Sequence, residues 1–194
     1  MDKKLFSRPL ILGASISAGY KTQDGGPGTI LARMINPDAQ VINLAFNGAT
    51  SVQSTSHIDF NTYNPSIVLG FDLFFWDAAR GQVGPKFEAN TRRFFKSFHE
   101  RKIPMIIGKL PIIDLPFGLQ AEIIKKSAVK VNTLLEEICT LENNTLLYNP
   151  MNCLLSMNSP EYFSDGLHLT SEGNKFCARF LAQEAPYKYL NVMG

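Results

Sequence analysis

Residues 10–20 read LILGASISAGY, and the fold follows from how that stretch breaks. An apolar run ends abruptly at Gly13, and the small residue Ala14 leads into Ser15, Ser17 and Gly19. A short continuous apolar run bounded by glycine is the pattern of a strand covered on both faces. A tight turn after it delivers Ser15 to the strand's C-terminal edge, which is where ligands bind in open α/β sheets. A serine there is a candidate nucleophile, but a bare hydroxyl is too weak. It needs a base to take its proton and a third group to orient the base.

Outward from this stretch, apolar runs and helical periodicities alternate. The pattern predicts a strand over 9–13, a glycine-rich loop over 19–28 and a helix over 29–35 that Asn36-Pro37 stops. A second buried strand is expected over 40–45, then the small-residue turn FNGATS and a helix over 52–58. After the stop at Asn64-Pro65 comes a third strand over 66–75, SIVLGFDLFF, with an aromatic end and a loop over 76–81. A helix over 86–101 carries Phe87, Phe94, Phe95 and Phe98 on or near one face, a stripe that reads as core. A fourth strand (103–110), an apolar loop (111–118), a long helix (119–141) and a short fifth strand (145–148) follow. Residues 151–170 look irregular, and a final helix over 171–184 begins at a Thr170 or Ser171 cap. Five such alternations predict an α/β fold, a three-layer α/β/α sandwich on a five-stranded parallel sheet with right-handed crossovers.

Composition bounds the function classes. A chain of 194 residues suits one domain, here taken as 1–194, and 45% hydrophobic with 19% charged residues suits a globule. Nineteen basic against 17 acidic residues leave a net charge of +2, which makes no electrostatic case for nucleic acid or an anionic membrane. Cys139, Cys153 and Cys177 form no CxxC pair, which argues against a disulfide framework or a cysteine-ligated zinc site. No apolar run approaches the ~18 residues of a membrane span. Arg8 and Pro9 interrupt the N-terminal apolar region, which belongs to the strand carrying Ser15, so no signal peptide is read in this chain. A cytoplasmic location follows by default, or an exported one if an upstream signal was removed. Residues 13–19 do not spell GxGxxG and no GxxxxGK[ST] loop occurs, which disfavours a nucleotide or flavin binder.

The candidate chemistry sits in SDGLHLTSEG, residues 164–173. Asp165 lies three residues before His168, close enough to hold the imidazole in one tautomer if the turn folds back. His168 is then placed to accept the proton of Ser15. His57 and His99 have no such companion. Gly48, just past the second strand, is placed to offer its N–H with that of Ser15 to a developing oxyanion.

Together these pieces resemble the SGNH (GDSL-type) hydrolases over essentially the whole chain. The family's Gly-Asp-Ser-x-Ser block appears as Gly13-Ala14-Ser15-Ile16-Ser17, its second block as residues 43–50, NLAFNGAT, and its Asp-x-x-His block as Asp165-Gly166-Leu167-His168. The resemblance implies a flavodoxin-like sandwich and a serine esterase without metal or organic cofactor. Ser15, His168 and Asp165 would form the triad, and the N–H groups of Ser15 and Gly48 the oxyanion hole. Its partner would be a small-molecule ester, with an acyl, lipid-like or carbohydrate part. A catalytically weak binding protein for a sugar or lipid on the same fold is the alternative.

Two positions depart from the family. Ala14 replaces the first-block aspartate. The third block, Gly-x-Asn-Asp, falls on Phe75-Trp76-Asp77 by the resemblance, with Trp76 where the family's asparagine donates to the oxyanion. Asn47 is a candidate compensating donor, and Asp77 and Arg80 are candidates to orient the loop or the substrate. Apolar pocket walls are expected from residues 73–76, including Phe75 and Trp76, and from residues 115–117, including Phe117.

Overall fold

The computed structural model describes residues 3–112, 119–141, 144–148 and 160–184. Its sheet is built from β1 (Pro9–Leu12), β2 (Ile42–Asn43), β3 (Ile67–Gly70), β4 (Met105–Gly108) and β5 (Thr145–Tyr148). All neighbouring pairs are parallel, in the order β2-β1-β3-β4-β5. This is the flavodoxin-like order of a doubly wound sheet.

The period-2 alternation of the central strands sorts their side chains between two apolar layers. Leu10, Leu12, Val68, Met105 and Ile107 face one way, against Phe87, Phe95 and Phe98 of α6 (Pro85–His99) and Val131, Leu135 and Ile138 of α7 (Leu119–Leu141). Ile11, Ile67, Leu69 and Ile106 face the other way, against Leu31 and Ile35 of α2 (Pro27–Ile35) and Cys177 and Leu181 of α8 (Ser171–Glu184). β1, β3 and β4 are therefore buried at every position because both faces are covered, and the α/β/α sandwich expected from the sequence is present.

The bounds of α7, β5 and α8 coincide with the expected ones, and Thr170 caps α8 by accepting from the Gly173 N–H at 3.1 Å. Three expectations need correction. The segment 40–45 is not a buried strand: β2 is an edge strand of two residues, with Ile42 half-buried and Asn43 exposed. An edge strand has one hydrogen-bonded neighbour and is less covered. The third strand ends at Gly70, not at residue 75, because the chain turns there and drives Leu73 and Phe74 into the core from the turn. The expected loop over 76–81 instead opens with a short helix, α5 (Phe75–Ala79). A continuous apolar run looks the same in a strand and in a buried turn or helix, so its end carries no signal. Short helices α1 (Ser15–Ala18), α3 (Ser51–Thr55) and α4 (Phe60–Tyr63) and a 3₁₀ turn over Pro160–Tyr162 complete the described architecture.

The connections leaving β1 and β3 pass to opposite faces of the sheet. A crevice opens at that switch in strand order, beyond the C-terminal ends of the two adjacent strands. Ser15 follows β1 directly, so the fold itself sets the serine at the crevice.

Candidate active site

Ser15 begins α1 on a sharp turn out of β1. Gly13 makes the turn with φ +140°, and a Cβ there would run into the Asp72 carboxylate and the Ser17 side chain. Glycine is therefore required by both dihedral and space. Ser15 is 7% exposed, sunk at the floor of the crevice.

The His168 Nε2 atom lies 3.0 Å from Ser15 Oγ, across 153 residues of sequence. Its Nδ1 atom lies 2.8 Å from Asp165 Oδ2 and 3.0 Å from Oδ1. The turn does fold back. Gly166 takes φ +79°, the Asp165 carboxylate accepts the His168 N–H at 2.9 Å, and Phe163 and Leu169 close the loop with an antiparallel bridge. Asp165 thus fixes its own loop and the imidazole together. The backbone and side-chain bonds from His168 hold its carboxyl at about 2, below the ordinary value of 3.8. Hydroxyl, imidazole and carboxylate in this order can pass a proton from the hydroxyl to Nε2, with the resulting imidazolium stabilised at Nδ1.

Gly48 sits in the turn after β2 with φ +74°, and the space a Cβ would occupy is open. Two groups from α5 and its C-terminal end hold this turn. The buried Asp77 carboxylate accepts the Ser51 N–H at 2.7 Å and the Ser51 hydroxyl at 3.1 Å, while Arg80 donates to the Gly48 carbonyl at 3.1 Å. Burial pushes the Asp77 carboxyl above its ordinary value, and the Ser51 donors pull it back. Asp77 and Arg80 are thus both bonded to the loop. Asn47 is exposed beside Gly48.

Trp76 directly precedes Asp77, the residue bonded to Ser51 after the Gly48 turn. It lies inside α5, half-buried, with its ring 5.4 Å from the Arg80 guanidinium and edge-on to Phe75. The residues that directly follow β3 are Phe71 and Asp72. Asp72 is 6% exposed. Its Oδ1 accepts the N–H groups of Ala14 at 2.9 Å and Ser17 at 3.2 Å, and its Oδ2 that of Ile16 at 2.8 Å. Burial raises its carboxyl above the ordinary value and these bonds counter the rise. The sequence does carry a faint sign of it: one carboxylate inside the apolar run SIVLGFDLFF must be buried, and a buried carboxylate must be partnered. Tyr20, whose ring centroid lies 4.6 Å from that of His168, had no sign at all.

An apolar cleft opens beside the serine, between Ile16, Phe71, Phe75, Leu110, Phe163 and Leu167. Phe75 lines it and Trp76 is not among its lining residues. Leu73 and Phe74 are core, and Leu115, Pro116 and Phe117 lie outside the described residues. Among the described residues no three His, Cys, Asp or Glu side chains converge to hold a metal, and no helix is long and apolar enough to cross a membrane.

No family model matches the chain, and no curated protein matches it by sequence. Solved structures do. An esterase, EstA, from Pseudoalteromonas sp. is similar at 21% identity and a TM-score of 0.68, over 95% of this chain and 99% of that one. A member of the lipolytic protein G-D-S-L family from Veillonella parvula aligns at 14% identity and a TM-score of 0.64, over 92% and 98%. An acetyl xylan esterase from Geobacillus stearothermophilus aligns at 17% identity and a TM-score of 0.65, over 90% and 92%. The chain therefore has the fold of the SGNH (GDSL-type) hydrolases along nearly its whole length.

Proposed function

We propose that this protein is a serine hydrolase of carboxylic esters that works through an acyl-enzyme, with Ser15 as nucleophile, His168 as base and Asp165 as its orienting group. One observation carries the reading: Ser15 Oγ, His168 Nε2 and Asp165 stand in continuous hydrogen-bond contact. Solved esterases of the same fold support it.

Ser15 Oγ attacks the ester carbonyl carbon and its proton passes to His168 Nε2. The carbonyl oxygen becomes an oxyanion, held by the N–H groups of Ser15 and Gly48. The bond to the leaving alkoxide breaks as Nε2 returns the proton to it, leaving an acyl group on Ser15. Water then attacks that acyl carbon, gives its proton to Nε2, and the acid leaves as Ser15 Oγ is reprotonated. The apolar cleft beside Ile16 and Leu167 would take the acyl part of the substrate.

The test is hydrolysis of p-nitrophenyl acetate, butyrate and octanoate by wild type and Ser15→Ala. Serine-dependent turnover is expected, with the variant near background and folded as judged by circular dichroism. Equal hydrolysis by both proteins overturns the assignment. No turnover by wild type, together with a thermal shift on adding a sugar or lipid, would favour the binding-protein reading instead.

A further inference from the structure

We infer that Asp72 is a positioning residue that acts as an ionised acceptor beneath the nucleophile, holding the Ser15 turn in place. The inference rests on the serine-hydrolase reading above and concerns how its nucleophile is held.

Three successive-turn amides, from Ala14, Ile16 and Ser17, point at one buried carboxylate. These residues flank Ser15 on both sides, so Asp72 grips the backbone that carries the hydroxyl. Ala14 has no polar group, and the Gly13 N–H goes to Ser54 Oγ at 2.9 Å. The three bonds span 55 to 58 residues of sequence, which ties the end of β3 to the turn after β1 across the crevice.

The same bonds exclude a second role. A donor to the oxyanion needs a proton directed at the substrate, yet both Asp72 oxygens already face N–H donors as acceptors. An amide placed here would set an NH₂ group against at least one of those N–H groups. Carboxylate and asparagine are therefore not equivalent at this position.

The test compares wild type with Asp72→Asn and Asp72→Ala, with rates normalised to the number of reactive serines. That number comes from the p-nitrophenolate burst released by a p-nitrophenyl phosphonate. Misplacement of a nucleophile can slow a reaction by about 10²-fold, so both variants should lose roughly 10- to 10²-fold in kcat per titrated serine while KM moves less than about 3-fold. A purely structural role would lower the titrated fraction and the melting temperature but leave kcat per titrated serine unchanged, and that result overturns the inference. So does an Asp72→Asn variant whose kcat equals or exceeds that of wild type, since the amide would then be acting as a donor.

If neither variant folds, carboxyl-labelled aspartate in the wild type decides. The Asp72 carboxyl carbon should resonate in the ionised range at pH 7, with slow exchange at the Ala14, Ile16 and Ser17 amides. A protonated Asp72 at pH 7 overturns the inference. This readout needs no turnover, so it separates a failure here from a failure of the hydrolase reading, which would show as wild-type protein lacking Ser15-dependent hydrolysis.

Discussion

Asp165 performs its two tasks only while it is charged. Its folded value of about 2 lies below the ordinary 3.8, so its contribution to stability is present in full above 3.8 and is lost as pH falls through about 2. The side chain is 42% exposed, and solvent screening keeps the effect below about 1 kcal/mol. Urea denaturation of wild type and Asp165→Asn should therefore show a small gap at pH 7 that closes between these two values. A gap that persists below pH 2 contradicts the account. Activity should respond far more than stability, because an asparagine no longer fixes the tautomer: a loss of about 10²–10⁴-fold in kcat is expected. Gly48 is a second residue whose identity is dictated locally. A side chain at φ +74° is strained by about 1–2 kcal/mol although the space is open. Gly48→Ala should lower the melting temperature by roughly 2–8 °C and kcat by more than KM, as followed by thermal unfolding and steady-state rates.

At the scale of elements, α5 is the support of the Gly48 turn. Removing the Asp77 carboxylate leaves the Ser51 N–H and hydroxyl without their acceptor in a buried place, a loss of about 1–3 kcal/mol. Relief of the burial penalty on the carboxylate itself offsets part of it. Asp77→Ala is expected to melt several degrees lower and to lose roughly 10-fold in kcat through the loosened turn. Arg80→Ala, which gives up one exposed bond to the Gly48 carbonyl, should change kcat by no more than about 3-fold. Steady-state rates and melting curves of the two variants, measured together, check the ordering; Arg80→Ala as damaging as Asp77→Ala would contradict it. The reason α5 was read as loop is visible here too. Its five residues, Phe75–Ala79, are too short for a helical period to emerge, and it follows an apolar run that continues the strand pattern.

Among the described residues, the sheet separates two apolar layers. Phe95→Ala in one layer and Leu31→Ala in the other each remove a fully buried side chain and should destabilise by about 3–5 and 2–5 kcal/mol respectively. The double variant should be additive within about 0.5 kcal/mol by denaturant titration. A larger deviation would show that the layers are coupled through the sheet. The same architecture separates what was legible in the chain from what was not. Periodicity, glycine stops and the caps are local signals, and they carried the alternation of elements, the limits of α7, β5 and α8, and the serine at the edge of β1. The Asp165–His168 pair is also local, three residues apart, and so was legible. The sequence by itself thus determined the fold class and the chemical groups, because both depend on neighbours within a turn or two. Only the tertiary structure decided where β3 stops and that β2 is an edge. It alone brought His168 to Ser15 across 153 residues and the Asp72 carboxylate to the amides of a turn 55 to 58 residues away. Those contacts arise from the order of strands in the sheet, which sets the ends of β1 and β3 side by side, and no local pattern encodes that adjacency.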